Sequence, residues 1–134
     1  MRPYAQVLDQ LRTAGLRPTR QRLALAKLLF ENGPRHMTAE ALHGEALGAS
    51  IRVSLATVYN TLHQFTDAGL LREIVVDTTR SYFDTTTHEH GHFFHEASGQ
   101  LIDIEDQIEL SHMPALPAGM KVAGVDVVIR LADA

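Results

Sequence analysis

The chain has 134 residues, 45% of them hydrophobic and 21% charged, with eight histidines and no cysteine. That fits one compact domain, or a small domain with an assembly piece, and it excludes disulfides, thiolate metal sites and cysteine nucleophiles. The net charge of −4 argues against a uniformly basic nucleic-acid binder, yet residues 1–86 hold 10 Lys+Arg and 8 Asp+Glu while 87–134 hold 2 and 8. A basic half can meet phosphates and an acidic half can hold cations, although solvated surface charge alone also produces such a split.

In chain order, Tyr4, Val7, Leu8 and Leu11 mark one face of a first helix, ended at Ala14-Gly15. Pro18 and Thr19 open a second, from Arg20 to Phe30, which stops at Asn32-Gly33-Pro34. Thr38 caps a third, carrying Ala39, Leu42 and Ala46. Ser54 caps a fourth with Leu55, Val58, Leu62 and Phe65 as its apolar stripe and Gly69 after its end. Leu71–Val76 and Arg80–Asp84 read as a hairpin around Asp77-Thr78-Thr79. Helices followed by a hairpin predict a winged helix-turn-helix.

Beyond Thr85-Thr86-Thr87, a hinge-like tract, His92–Glu96 and Gln100–Ile104 are strand-like. Glu105–Met113 is expected as a short helix before Pro114, and Val125–Leu131 alternates as a half-buried strand. The expectation is an α+β protein: a winged-helix domain over 1–84, a hinge over 85–90 and a small α/β dimerisation domain over 91–134. A piece under fifty residues rarely buries enough apolar surface alone, so two copies should share a core. No apolar run approaches the ~18 residues of a membrane span and no leader precedes the first helix, so a cytoplasmic protein without a membrane partner is expected.

The fourth helix is the expected DNA reader. Its polar face carries Thr57, Asn60, Thr61 and Gln64, with Tyr59 near the N-terminal end, and short polar groups there suit base edges. Ser54 and Thr57 can reach phosphates beside the helix N-terminus. Arg17, Thr19, Arg20, Arg22 and Arg52 lie on flanking segments as backbone contacts, with Arg80 in the wing. A lone amphipathic helix would more often be an ordinary solvated one; its place in the ordered series favours the DNA reading.

His88, His90, His92 and His95 fall within eight residues. On an extended segment, residues two apart share a face, so the first three can converge on one ion. Imidazole suits iron, zinc, copper or nickel, and added carboxylates favour Fe(II) or Mn(II). The bland alternative is a set of surface histidines.

SLATVYNTLHQFTDAGLLRE (Ser54–Glu73), RPTRQRLALAKLL (Arg17–Leu29), RHMTAEALH (Arg35–His43) and HEHGHFFHEASGQLIDI (His88–Ile104) resemble, in that order, segments of the ferric uptake regulator family. SYFDTTT and the run from HFF to LIDI are most similar to its iron-response-regulator branch. The resemblance implies a repressor of iron-homeostasis genes that binds operator DNA as a homodimer, with tetramers left open. It implies control by Fe(II) or Mn(II), with Zn(II) a substitute in crystals, or by haem. It assigns the sensory metal to His36, Asp84, His90 and His92, and a second metal or haem site to His88, Glu89, His95 and Glu109. His95 and Ser98 stand where many members hold a cysteine pair, so no structural Cys-ligated zinc is expected, and Gly91 replaces an acidic ligand. Rival expectations are a peroxide- or manganese-responsive regulator of the same family, a histidine-ligated metalloenzyme built on a facial triad, and a histidine pH switch.

Overall fold

The computed structural model describes residues 4–88 and 90–134. The chain divides into two compact units, residues 1–87 and 88–134.

Among the described residues, the N-terminal unit is built from four helices and a small sheet. Helix α1 spans Ala5–Thr13, α2 Arg20–Phe30, α3 Ala39–Gly48 and α4 Leu55–Asp67. Three of the four start at the expected caps: Thr19, Thr38 and Ser54 each accept the backbone N–H three residues on, from Arg22, Ala41 and Thr57. Such a hydroxyl satisfies one of the four orphan donors at a helix start. Gly69, at φ +82, ends α4 in the left-handed region where a Cβ is strained.

The apolar stripes meet in one core. Val7 and Leu11 of α1, Leu25 and Leu29 of α2, Leu42 of α3, and Val58, Leu62 and Phe65 of α4 are buried there. Phe83 is buried against them from the sheet. Thr61 is buried as well, which corrects its expected place on the polar face of α4. At that position the stripe is wider than the four apolar residues alone define.

Strand β1 is His36–Met37, β2 Arg72–Val75 and β3 Ser81–Asp84. Their order is β1-β3-β2. The hairpin is the expected one; β1 is not, because two residues give no periodicity to read. Its register sets His36 opposite Asp84, while β2 sets Arg72 opposite the same residue from the other side. Arg35 holds the start of β1. Its guanidinium donates to Glu45 of α3 at 2.8 Å, and its backbone exchanges hydrogen bonds with Thr85.

In the C-terminal unit, β4 is His92–His95, β5 Gln100–Asp103 and β6 Val128–Leu131. The central β4 pairs antiparallel with β5 and parallel with β6. Phe94, Leu101 and Ile104 are buried, whereas Ile102 and Ile129 are 39% and 42% exposed. The helix expected over Glu105–Met113 is absent: residues 104–127 contain neither helix nor strand. A nine-residue helix is marginal without a surface to pack on, and Ile108, Leu110 and Met113 here remain exposed. The strand expected from Val125 begins only at Val128.

Candidate metal centre

His92 opens β4 and lies opposite Asp103, the last residue of β5. Directly paired residues of an antiparallel ladder project to one face, so the strand register delivers this carboxylate to this imidazole. His92 is 2% exposed, and its Nε2 lies 3.1 Å from Asp103 Oδ1. His90, two residues earlier and on the same side, brings its own Nε2 to 3.4 Å from the same oxygen. The two rings stand 4.3 Å apart at 51°. Donor atoms of His90, His92 and Asp103 all fall within 4.8 Å of one another.

The hydrogen bonding indicates what this cluster is suited to hold. His90 Nδ1 lies 2.9 Å from the His88 carbonyl oxygen, so the ring proton sits on Nδ1, donating to that acceptor. In neutral His90, Nε2 then carries a lone pair aimed toward a carboxylate oxygen. Two lone-pair donors facing one another repel, and either a proton on the imidazole or a metal ion between them relieves the repulsion. A divalent metal meets that need, and two imidazoles with a carboxylate suit Fe(II), Mn(II) or Zn(II). Fixing the second ring nitrogen on a backbone carbonyl is how ligating histidines are commonly oriented.

Two other expected ligands are neighbours in the N-terminal unit. Asp84 is buried, and the β1–β3 register pairs it with His36. Its Oδ1 also accepts the Thr86 N–H at 2.8 Å. His36 packs edge-on against Tyr82, with ring centroids 6.3 Å apart.

The expected second site is not assembled in the same way. His95 is committed elsewhere: Nδ1 accepts from Ser98 Oγ at 2.6 Å and from the Ser98 N–H, and Nε2 donates to Asp133 at 2.9 Å. These bonds tie the β4–β5 turn to the residues after β6. The exposed His88 ring lies 5.3 Å from His90. Glu109 is exposed in the 104–127 segment and does not join the His90–His92–Asp103 group. Glu89 lies outside the described residues. Gly91 packs under Ile108, whose terminal methyl would collide with a Cβ at that position, so this backbone is closely covered where the family has an acidic ligand.

Asp103 was not among the expected ligands. The only sequence signal for it was its place at the end of a strand whose partner begins at a histidine, and the register supplied the rest.

The expected DNA contacts lie in the N-terminal unit. Arg17, Thr19, Arg20, Arg52, Ser54 and Asn60 are exposed. Ser54 both caps α4 and donates its hydroxyl proton to Thr57 Oγ1 at 3.0 Å. Arg22 braces α2 against α4: Nε and Nη2 donate to Gln64 Oε1, and Nη1 to the Arg17 carbonyl. Tyr59 donates its hydroxyl to Glu40 at 2.6 Å, a bond that raises the Tyr59 pKa and lowers that of Glu40. In the wing, Arg80 is held by Asp77, whose carboxyl lies well below its usual range because of that bond and two more from Thr79.

Fold and donor set together define a winged helix-turn-helix protein with a histidine–carboxylate metal centre. The sequence profile of the ferric uptake regulator family matches residues 13–130, and the chain belongs to that family. The peroxide-responsive repressor PerR of Staphylococcus aureus is 36% identical over 99 residues, 73% of this chain and 66% of that protein. The match thus spans just under two thirds of the curated relative's length. The ferric uptake regulator of Pseudomonas aeruginosa, solved with manganese, superposes with a TM-score of 0.71 at 26% identity, over 94% of this chain and 96% of that one. PerR from Streptococcus pyogenes, solved to explain peroxide sensing and gene regulation, gives 0.50 at 28% identity, over 77% and 70%.

Proposed function

We propose that this chain is a metal-responsive transcriptional repressor that binds operator DNA as a homodimer in the cytoplasm, and is not an enzyme. The observation that carries this reading is the convergence of His90 and His92 on one oxygen of Asp103, in a chain whose other unit is a capped winged helix-turn-helix. His90, His92 and Asp103 would hold Fe(II) or Mn(II), with His36 and Asp84 as the N-terminal unit's ligands. The ion shifts operator affinity by its differential affinity for the DNA-binding and non-binding states of the protein.

The dimer rests on the C-terminal sheet. Phe93, Ile102 and Ile129 are matched across β5, β4 and β6 in register. They form an apolar row on the face opposite His92 and Asp103. A second copy of the same row is the occupant with matching chemistry, since two-fold interfaces are self-complementary.

The test is duplex binding by metal-stripped protein, titrated anaerobically with Mn(II), Fe(II) and haem. Gain of binding with Mn(II) or Fe(II), lost in H90A/H92A, supports the reading. An unchanged metal response in that double variant removes these ligands. Strong binding by the stripped protein that haem abolishes would instead support control by haem.

A second reading, peroxide-responsive repression, is favoured by the 36% identity to the S. aureus protein. It predicts a mass gain of one oxygen on His36 or His90 when the Fe(II)-loaded protein meets peroxide; no gain at either residue counts against it.

A further inference from the structure

The Tyr59 hydroxyl points into a contact between the two helices of the helix-turn-helix. Its O–H donates at 2.6 Å to Glu40, in the first turn of α3. Bonds of this kind, from hydroxyl to carboxylate, are among the stronger ones. The ring is held as well. It stacks on His63, with centroids 6.4 Å apart and planes 18° from parallel, and His63 meets Phe83 edge-on at 5.6 Å. Tyr59 is therefore fixed by its hydroxyl from α3 and by its face against His63 of its own helix, which Phe83 of the sheet backs.

Glu40 is exposed; its carboxylate suits the first turn of α3, and it is there also the acceptor for Tyr59. On a surface that meets phosphates, a negative charge opposes every duplex equally, whereas an oriented contact group rewards only a matching one. Specificity is a difference of affinities and often contains such a repulsive element. A hydroxyl whose proton is already donated also offers a base edge only its lone pairs, so acceptors on the wrong base are turned away.

We propose that Glu40 is a specificity-determining residue of the DNA-binding surface, orienting Tyr59 through its hydroxyl and penalising indiscriminate backbone contact by its charge. This rests on the DNA-binding reading above.

The test uses full-length, Mn(II)-loaded protein and two duplexes: one enriched by the wild type from a random pool, and its scrambled counterpart. E40A is expected to tighten the scrambled duplex about threefold, and to lower the enriched-to-scrambled preference about tenfold. In a Y59F background, E40A should move both duplexes by one common factor, since only the charge is then removed. E40Q keeps an acceptor for the hydroxyl, and should recover part of the preference that E40A loses. It also carries the test if E40A folds poorly. An unchanged preference in E40A, or equal shifts on both duplexes with Tyr59 intact, overturns the proposal while leaving DNA binding in place. Failure of the wild type to enrich any duplex removes the DNA-binding reading and this inference together.

Discussion

His92 and Asp103 show how one cross-strand pair can carry a site. The imidazole is 2% exposed and the carboxylate side chain 45%, so the pair has a buried wall and an open side through which an ion can enter. D103N keeps the shape but removes the charge. It should weaken Mn(II) binding by about tenfold or more by calorimetry, with little change in the unfolding temperature of the stripped protein. Equal affinity would remove Asp103 from the ligand set. Glu45 makes a different residue-scale prediction. Its hydrogen bond with Arg35 holds its pKa below the ordinary value, so the folded state binds this proton less readily than the unfolded chain. The stabilisation is therefore present above the unfolded-state pKa and is lost as pH falls through the folded one. E45Q should cost roughly 0.5 kcal/mol at pH 7, discounted for solvent screening, and the difference from wild type should shrink as pH falls from the ordinary glutamate range through the lower folded-state value. Denaturant midpoints across that range measure it; a constant difference would mean that the ion pair is not its source.

At the scale of elements, α4 depends on its two ends. Ser54 satisfies the Thr57 N–H, and S54A should cost about 1 kcal/mol of stability. Gly69 leaves the helix at φ +82 with open space where a Cβ would lie. G69A should therefore destabilise by about 1 kcal/mol through backbone strain alone, without a clash. Urea unfolding of both variants checks this, and a neutral G69A would show that the turn adapts. The segment after β5 makes the opposite point. Glu105–Met113 carries a sequence compatible with a helix, but with Ile108, Leu110 and Met113 exposed the chain gains nothing from pairing its backbone there.

For the whole molecule, assembly is the open variable. Among its described residues the C-terminal unit buries few large apolar side chains, namely Phe94, Leu101 and Ile104, and leaves the Phe93–Ile102–Ile129 row on its other face. If two copies meet there, I102K/I129K should be monomeric by sedimentation and should lose at least about a hundredfold in operator affinity, because each half-site then binds alone. A variant that stays dimeric would move the interface off this face.

The sequence by itself determined the helical part of this protein. Caps at Thr19, Thr38 and Ser54, stripes at helical spacing and a glycine after α4 are local signals, read within one or two turns of chain. It also determined that the metal chemistry would be imidazole-rich, since His90 and His92 share a side wherever the backbone is extended. Tertiary structure decided what depends on register and on partners. It brought Asp103 to His92 from eleven residues away, set His36 beside Asp84 through a two-residue strand, buried Thr61 in a polar-looking face, turned His95 to Asp133, and left 105–113 unwound. Each of these outcomes is set by what a residue meets across the fold, and a pattern confined to near neighbours in sequence holds no record of that.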